Sequence, residues 1–236
     1  MATVRVLIGA AGTGKTSRLL ALLDAAIERT GVGPEGVLFA SLTRAARKEA
    51  ADRAAARWGV PADLLLRDLW FKTIHAIAYR GAAHGSLLTE SKDDLQWIET
   101  ATGGLDPDGR ALAAWDRSRA RLEPFAGGAH ATAAVEAYES AKRVEGRVDF
   151  TDLLAAFAGV RYTPAGGVSF VTPSGEVPHG IVVAAFDEHQ DASLLLDRCC
   201  RRIVSESPDL DEVIVAGDPH QSIYGFLGAS PSLLME

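Results

Sequence analysis

The sequence predicts an α/β chain built on a mostly parallel sheet flanked by helices, with a small all-α insertion. Three observations carry that prediction. A strand–helix–strand–helix rhythm fills the first sixty residues, a purely helical pattern runs from about Thr89 to Lys142, and the strand–helix–strand rhythm returns from Ile181.

The elements follow in order. Val4-Arg5-Val6-Leu7-Ile8 is a short apolar run rich in β-branched residues and closed by Gly9, the pattern of a buried parallel strand. Thr16 to Arg29 places Leu19, Leu20, Leu23 and Ile27 at helical spacing until Gly31 to Gly36 stops it. Val37 to Ala40 reads as a second strand, and Thr43 to Arg57 as a helix ended by Gly59-Val60-Pro61. The helical stretch that follows falls into three runs, broken at Gly103-Gly104 and at Pro124 to Gly128. Asp149 to Ala158 reads as a further short helix. Gly159 to Gly180 gathers Gly and Pro around the alternating segment Val168 to Thr172, which predicts a hairpin or a mobile loop. Ile181 to Phe186 is a strand, Ala192 to Ser205 a helix and Glu212 to Ala216 a strand. The implied division is one α/β domain in two parts, 1–88 and 149–236, with 89–148 inserted between them.

Composition narrows the function classes. At 236 residues, 47% hydrophobic and 23% charged, the chain is long enough to bury a sizeable core and is neither disordered, collagen-like nor a coiled coil. Its 24 Lys and Arg against 31 Asp and Glu leave a net charge of −7, so no global positive field is available and any nucleic-acid contact must be local. The two cysteines, Cys199 and Cys200, are adjacent, which suits neither a disulfide scaffold nor zinc-ligand spacing. Without a secretory leader or an 18-residue apolar stretch, the expected location is a reducing cytoplasm, away from any membrane.

Two segments carry chemistry. Gly9-Ala10-Ala11-Gly12-Thr13-Gly14-Lys15-Thr16 matches G-x-x-x-x-G-K-[ST] and lies between an expected strand and helix. Glycines there let backbone N–H groups approach phosphate oxygens, Lys15 would bridge the outer phosphates, and the Thr16 hydroxyl would hold Mg²⁺. Composition alone produces the pattern in a chain of this length about once in a hundred. The second segment, Asp187-Glu188-His189-Gln190-Asp191, follows the strand Ile181 to Phe186, at the rim where open parallel sheets bind ligands. Asp187 would take the metal and Glu188 would orient or deprotonate an attacking water. The same acids could instead cap the following helix, and the two roles are compatible. His189 lacks ligand spacing to the other histidines and is assigned no chemistry.

With both segments located, the chain resembles the UvrD/Rep-like superfamily 1 DNA helicases, in their first RecA-like motor domain. Gly217-Asp218-Pro219-His220-Gln221-Ser222-Ile223-Tyr224-Gly225-Phe226-Leu227-Gly228-Ala229 is the most diagnostic stretch. The resemblance implies that Gln221 senses the γ-phosphate and that Tyr224 and Phe226 stack on bases of a single strand, although as residues alone they read as core. Asp187, Glu188, Gln190 and Asp191 match the family's D-E-x-Q-D box, which places Gln190 near the γ-phosphate. Thr43-Arg44-Ala45-Ala46 and Thr73-Ile74-His75 resemble DNA-contacting motifs, which makes Thr43, Arg44, Thr73 and His75 DNA candidates. The helix carrying Arg44, Arg47, Lys48, Arg53 and Arg57 is a local basic patch, equally a solvated surface. Asp149-Phe150-Thr151-Asp152-Leu153 resembles a D-F-x-D-L element and reads as structural. Two features depart from the family: only eight residues precede Gly9, where an adenine-recognising Gln is usual, and Ser41 replaces a common aromatic.

What the resemblance implies is an ATP- and Mg²⁺-dependent motor domain acting on single-stranded DNA. Its partner would be a second RecA-like domain, with arginines that this sequence does not contain, so slow hydrolysis and no translocation are expected of this chain alone. A nucleotide-gated module binding single-stranded DNA or protein without motor activity is the alternative. A small-molecule kinase is disfavoured, since no Arg-rich lid is present and 217–229 would have no use.

Overall fold

The computed structural model describes residues 2–10, 13–81, 85–89, 91–165, 167–218, 220 and 229–234. The first half runs β1 (Thr3–Ile8), α1 (Lys15–Thr30), β2 (Val37–Ser41), α2 (Arg44–Trp58), α3 (Ala62–Arg67), β3 (Trp70–Thr73) and α4 (Ile74–Gly81). After β4 (Ser86–Leu87) come three helices, α5 (Lys92–Ala101), α6 (Arg110–Ala120) and α7 (Ala129–Glu145), closed by β5 (Arg147–Val148). Then follow α8 (Phe150–Ala158), β6 (Val160–Thr163), β7 (Gly167–Phe170), β8 (Val183–Phe186), α9 (Leu194–Glu206) and β9 (Glu212–Gly217).

The central sheet has the order β1-β9-β8-β2-β3, and every pairing in it is parallel. Alternation along β2 shows how the layers form. Val37 and Phe39 point into a core shared with Leu19, Leu20 and Leu23 of α1 and Ala50, Ala51 and Ala54 of α2. Leu38 and Ala40 point the other way, to Ile77 of α4, Leu153 and Phe157 of α8, and Leu195, Cys199 and Ile203 of α9. A sheet covered on both faces is what near-continuous apolar strands require. The alanines of α2 let that helix lie close on the sheet while Lys48, Glu49, Asp52 and Arg53 face outward.

β1 departs from the buried strand its sequence suggests. Val4, Val6 and Ile8 are 62%, 50% and 50% exposed and belong to neither core cluster; β1 is an edge strand bonded only to β9 among the described residues. Trp70 to Thr73, which the sequence pattern does not single out, forms the opposite edge. The alternating segment near 168 is a hairpin, β6 pairing antiparallel with β7. Cys199 and Cys200 are buried free thiols.

The helices α6 and α7 share a small core of Ala111, Trp115, Ala134 and Val135. They join α8 through buried charge. Asp149 caps α8 in a reciprocal box with Asp152, and the two carboxylates receive Arg119 from α6 and Lys142 from α7 at 2.7–3.2 Å. Burial works against ionisation of Asp149, but the Arg119 and Lys142 charges outweigh it and hold its carboxyl below the ordinary range. Glu139, Asp149 and Asp152 lie close enough together to suggest a metal, yet the two cations already occupy the space between them. The D-F-x-D-L element is therefore structural in its acids.

Candidate functional site

A parallel sheet brings all its carboxyl ends to one rim. Gly9 follows β1, Asp218 follows β9, Asp187 follows β8, Thr43 and Arg44 lie just beyond β2, and Thr73 ends β3. These residues therefore share one edge of the sheet.

At the start of α1 the chain turns sharply through Gly14, whose φ of 82° is a left-handed conformation that glycine adopts without strain. Gly9 is needed for space. A Cβ there would meet the Thr13 hydroxyl at 2.9 Å and the Lys15 side chain at 3.3 Å. The Thr13 hydroxyl and the Lys15 ammonium both donate to the Ala10 carbonyl, at 2.7 and 3.3 Å, so Lys15 arches back over the loop. Ala11 and Gly12 lie outside the described residues. The Thr16 hydroxyl donates to Asp187 Oδ2 at 3.3 Å, joining two segments 171 residues apart in sequence.

Asp187 is buried, and its Oδ1 accepts the Glu188 N–H at 3.0 Å. Burial and the neighbouring Glu188 charge push its carboxyl up to about 6, against the pull of the hydrogen bonds from Glu188 and Thr16. Glu188 has a left-handed φ of 57°, a strained conformation for a residue with a Cβ. It begins a 3₁₀ turn, His189–Asp191. Gln190 links the strand ends: its Nε2 donates to Glu188 Oε2 at 2.7 Å, and its Oε1 accepts the Asp218 N–H at 3.0 Å. His189 is buried against Asp197 of α9 at 3.1 Å, and Asp197 also accepts from Arg201 at 2.6 Å. That pairing makes His189 a satisfied core histidine. The acids do not cap α9, because Ser193 does so, its hydroxyl accepting the Leu196 N–H at 3.3 Å. Gln221, Tyr224 and Phe226 lie outside the described residues.

Beyond β2 and β3 opens a cavity of about 850 Å³. Arg44, Thr73 and His75 line it together, as do Arg47, Lys72, Tyr79, Arg80 and Phe150. No Asp or Glu is among the described residues lining it. Thr43 and Thr73 are engaged at helix starts, accepting the N–H groups of Ala46 at 3.1 Å and Ala76 at 3.2 Å. His75 packs edge-to-face on Phe150 with ring centres 5.9 Å apart, and burial lowers its pKa below the ordinary imidazole value. The rest of the basic patch on α2 is committed elsewhere: Lys48 to Asp52, Arg53 to Glu49 and Arg57 to Asp24. Arg47 directs its charge to the cavity, with its Nε–H buried and unpartnered among the described residues.

The sequence model of the UvrD/REP helicase N-terminal domain matches residues 1–103 and 116–236. Proteins named ATP-dependent DNA helicase UvrD2, from Mycobacterium bovis and from Mycobacterium tuberculosis, are 28% identical to this chain over 270 aligned residues. The alignment covers 99% of this chain and 36% of each relative, so the chain spans about a third of their length.

Proposed function

The chain belongs to the family of the UvrD/REP helicase N-terminal domain, and from that premise we propose that it is the ATP-binding half of a DNA-translocating motor. The observation that carries the reading is the Thr16–Asp187 contact, which brings a phosphate-type loop and a buried carboxylate to one point. The residues fit a magnesium nucleotide: Gly9 leaves a cradle that a Cβ would fill, and Asp187 and the Thr16 hydroxyl offer oxygen ligands. When bound, Mg²⁺ would supply charge neutralisation for the phosphates.

Lys15 would exchange the Ala10 carbonyl for the outer phosphates, and the N–H groups opening α1 would face their oxygens. Glu188 would orient and deprotonate the attacking water, held by Gln190, which also ties that carboxylate to the end of β9. Gln221 would report the γ-phosphate to the segment carrying Tyr224 and Phe226, the stacking residues. Single-stranded DNA would cross the cationic cavity, meeting Arg44, Thr73 and His75. A second RecA-like domain would complete the nucleotide site, the helices of 89–148 would form an insertion, and the setting would be the cytoplasm.

Isothermal titration of the chain with Mg·ATP, alongside binding of a labelled oligo-dT at low salt, tests this reading. Saturable binding of both, with at most slow hydrolysis, is expected. Absence of Mg·ATP binding overturns it.

A further inference from the structure

Four arginines lie on or directly after α6, and the helical repeat sorts them into two groups. At about 100° per residue, Arg110, Arg117 and Arg121 fall within about 40° of one another, while Arg119 stands about 180° from Arg110. Arg119 is the structural one: only 2% exposed, it is bound by Asp116, Asp149 and Asp152. The other three line a groove of about 320 Å³ between α6 and residues 123–131, far from the rim of the sheet in sequence and sharing no residue with the cavity beyond β2 and β3.

The far wall of the groove is fixed in place. At Leu122 the chain leaves the helix through a left-handed φ of 56°, a strained conformation for a residue with a Cβ, and the Glu123 N–H then donates to the Ser118 carbonyl at 2.9 Å. Phe125 packs edge-on against Trp115 with ring centres 5.6 Å apart, and beneath Gly127, where a Cβ would collide with its ring. Together with Ala114, Ala126 and Ala131 it gives the groove an apolar floor. Two acids stand near the three cations: Glu123 on the far wall, and Asp108, which pairs with Arg110 at 3.0 Å in an exposed contact.

Charge complementarity calls for an anion, and the stripe sets its length. Arg110 to Arg121 spans eleven residues of helix, about 16 Å, the reach of about five extended residues of peptide. A phosphodiester backbone would satisfy the arginines but brings nothing apolar to the floor, and Phe125, packed under Gly127, is not a platform on which bases stack. An acidic peptide that carries an apolar side chain answers both features. We propose that this groove is a docking site for a partner protein, which it takes by an extended acidic segment of about five residues: the carboxylates pair with Arg110, Arg117 and Arg121, and one apolar side chain seats on the floor at Phe125. The site is independent of what the rim of the sheet binds.

Fluorescence anisotropy of a fluorescein-labelled peptide of four aspartates and one central phenylalanine, titrated with the full chain at low salt, tests the proposal. Saturable binding is expected, weakened about tenfold by Arg117→Glu. Replacing the phenylalanine of the peptide by serine should also cost about tenfold. Arg143→Glu, which changes the net charge equally but lies on α7 outside the groove, should leave the affinity unchanged. Should Arg117→Glu fail to fold by circular dichroism, Arg110→Glu, at a side chain 87% exposed, carries the same comparison. Absence of saturable binding overturns the proposal, as does an equal loss in Arg143→Glu or equal affinity for the serine peptide. A short labelled DNA duplex that binds the wild type and loses its affinity in Arg117→Glu would overturn it in favour of a nucleic-acid surface.

Discussion

The rim of the sheet divides into two compartments of opposite chemistry. Over β1, β9 and β8 it presents Asp187, Glu188 and Asp218 around a single lysine, with tight backbone turns and short side-chain bridges. Over β2 and β3 it presents Arg44, Arg47, Lys72 and Arg80, with no acid among the described residues of the cavity. The first suits a divalent cation and a compact polyphosphate, for which oxygen ligands and N–H groups must converge on one point. The second suits an extended polyanion, for which spread positive charge is enough. A chain of net charge −7 can thus hold a basic site, because what matters is where the acids are not.

The division predicts effects that separate. Lys15→Ala should have the largest: Mg·ATP binding weakens about 100-fold, as removal of a charged partner implies, while oligo-dT affinity without nucleotide is unchanged. Calorimetry and anisotropy on the same preparation check both halves. A parallel loss of DNA affinity would break the division. Arg44→Ala should act on the other compartment, weakening oligo-dT about tenfold at low salt and lowering the slope of log affinity against log salt by about 1. Its Mg·ATP affinity should match the wild type, and a matching loss there would show the two compartments to be one.

The phosphate loop was legible from sequence because Gly9, Gly14, Lys15 and Thr16 are close together and each answers a local need for space, a turn or a charge. The pairing of Thr16 with Asp187 could be expected only because Gly9, which opens the loop, and Asp187 each directly follow an apparent strand. The cationic cavity was less legible. Its lining comes from α2, β3, α4 and α8, and no spacing rule connects Arg47 to Lys72 or Phe150. Lys72 left a trace, as a lysine directly after the aromatic pair Trp70-Phe71, but a four-residue strand that passes directly into a helix gives periodicity nothing to measure. β1 was misjudged for a related reason: a short apolar, β-branched run suggests burial on both faces, but exposure of Val4 depends on what packs over it.

The smallest effect sharpens the acidic side. Ser193→Ala should remove the α9 cap and cost about 1 kcal/mol, lowering Tm by about 2–4 °C in a thermal melt. Both ligand affinities should stay as they are. If Mg·ATP binding also fell, the nearby acids would have moved with the cap.

The ladder between β1 and β9 imposes an order on assembly during synthesis. Residues 3–8 leave the ribosome about two hundred residues before the strand they pair with, which spans Glu212–Gly217, and Gly9 itself donates to the Gly217 carbonyl at 3.3 Å. Closing a loop of that length comes late and has no local contacts to guide it. Until residue 217 emerges, β1 lacks the strand it pairs with, and the loop attached to it has no fixed place beside Asp187. A nascent chain therefore cannot fix the loop at Gly9 beside Asp187 until residue 217 has been made, so order at this rim reports that synthesis of the sheet is complete.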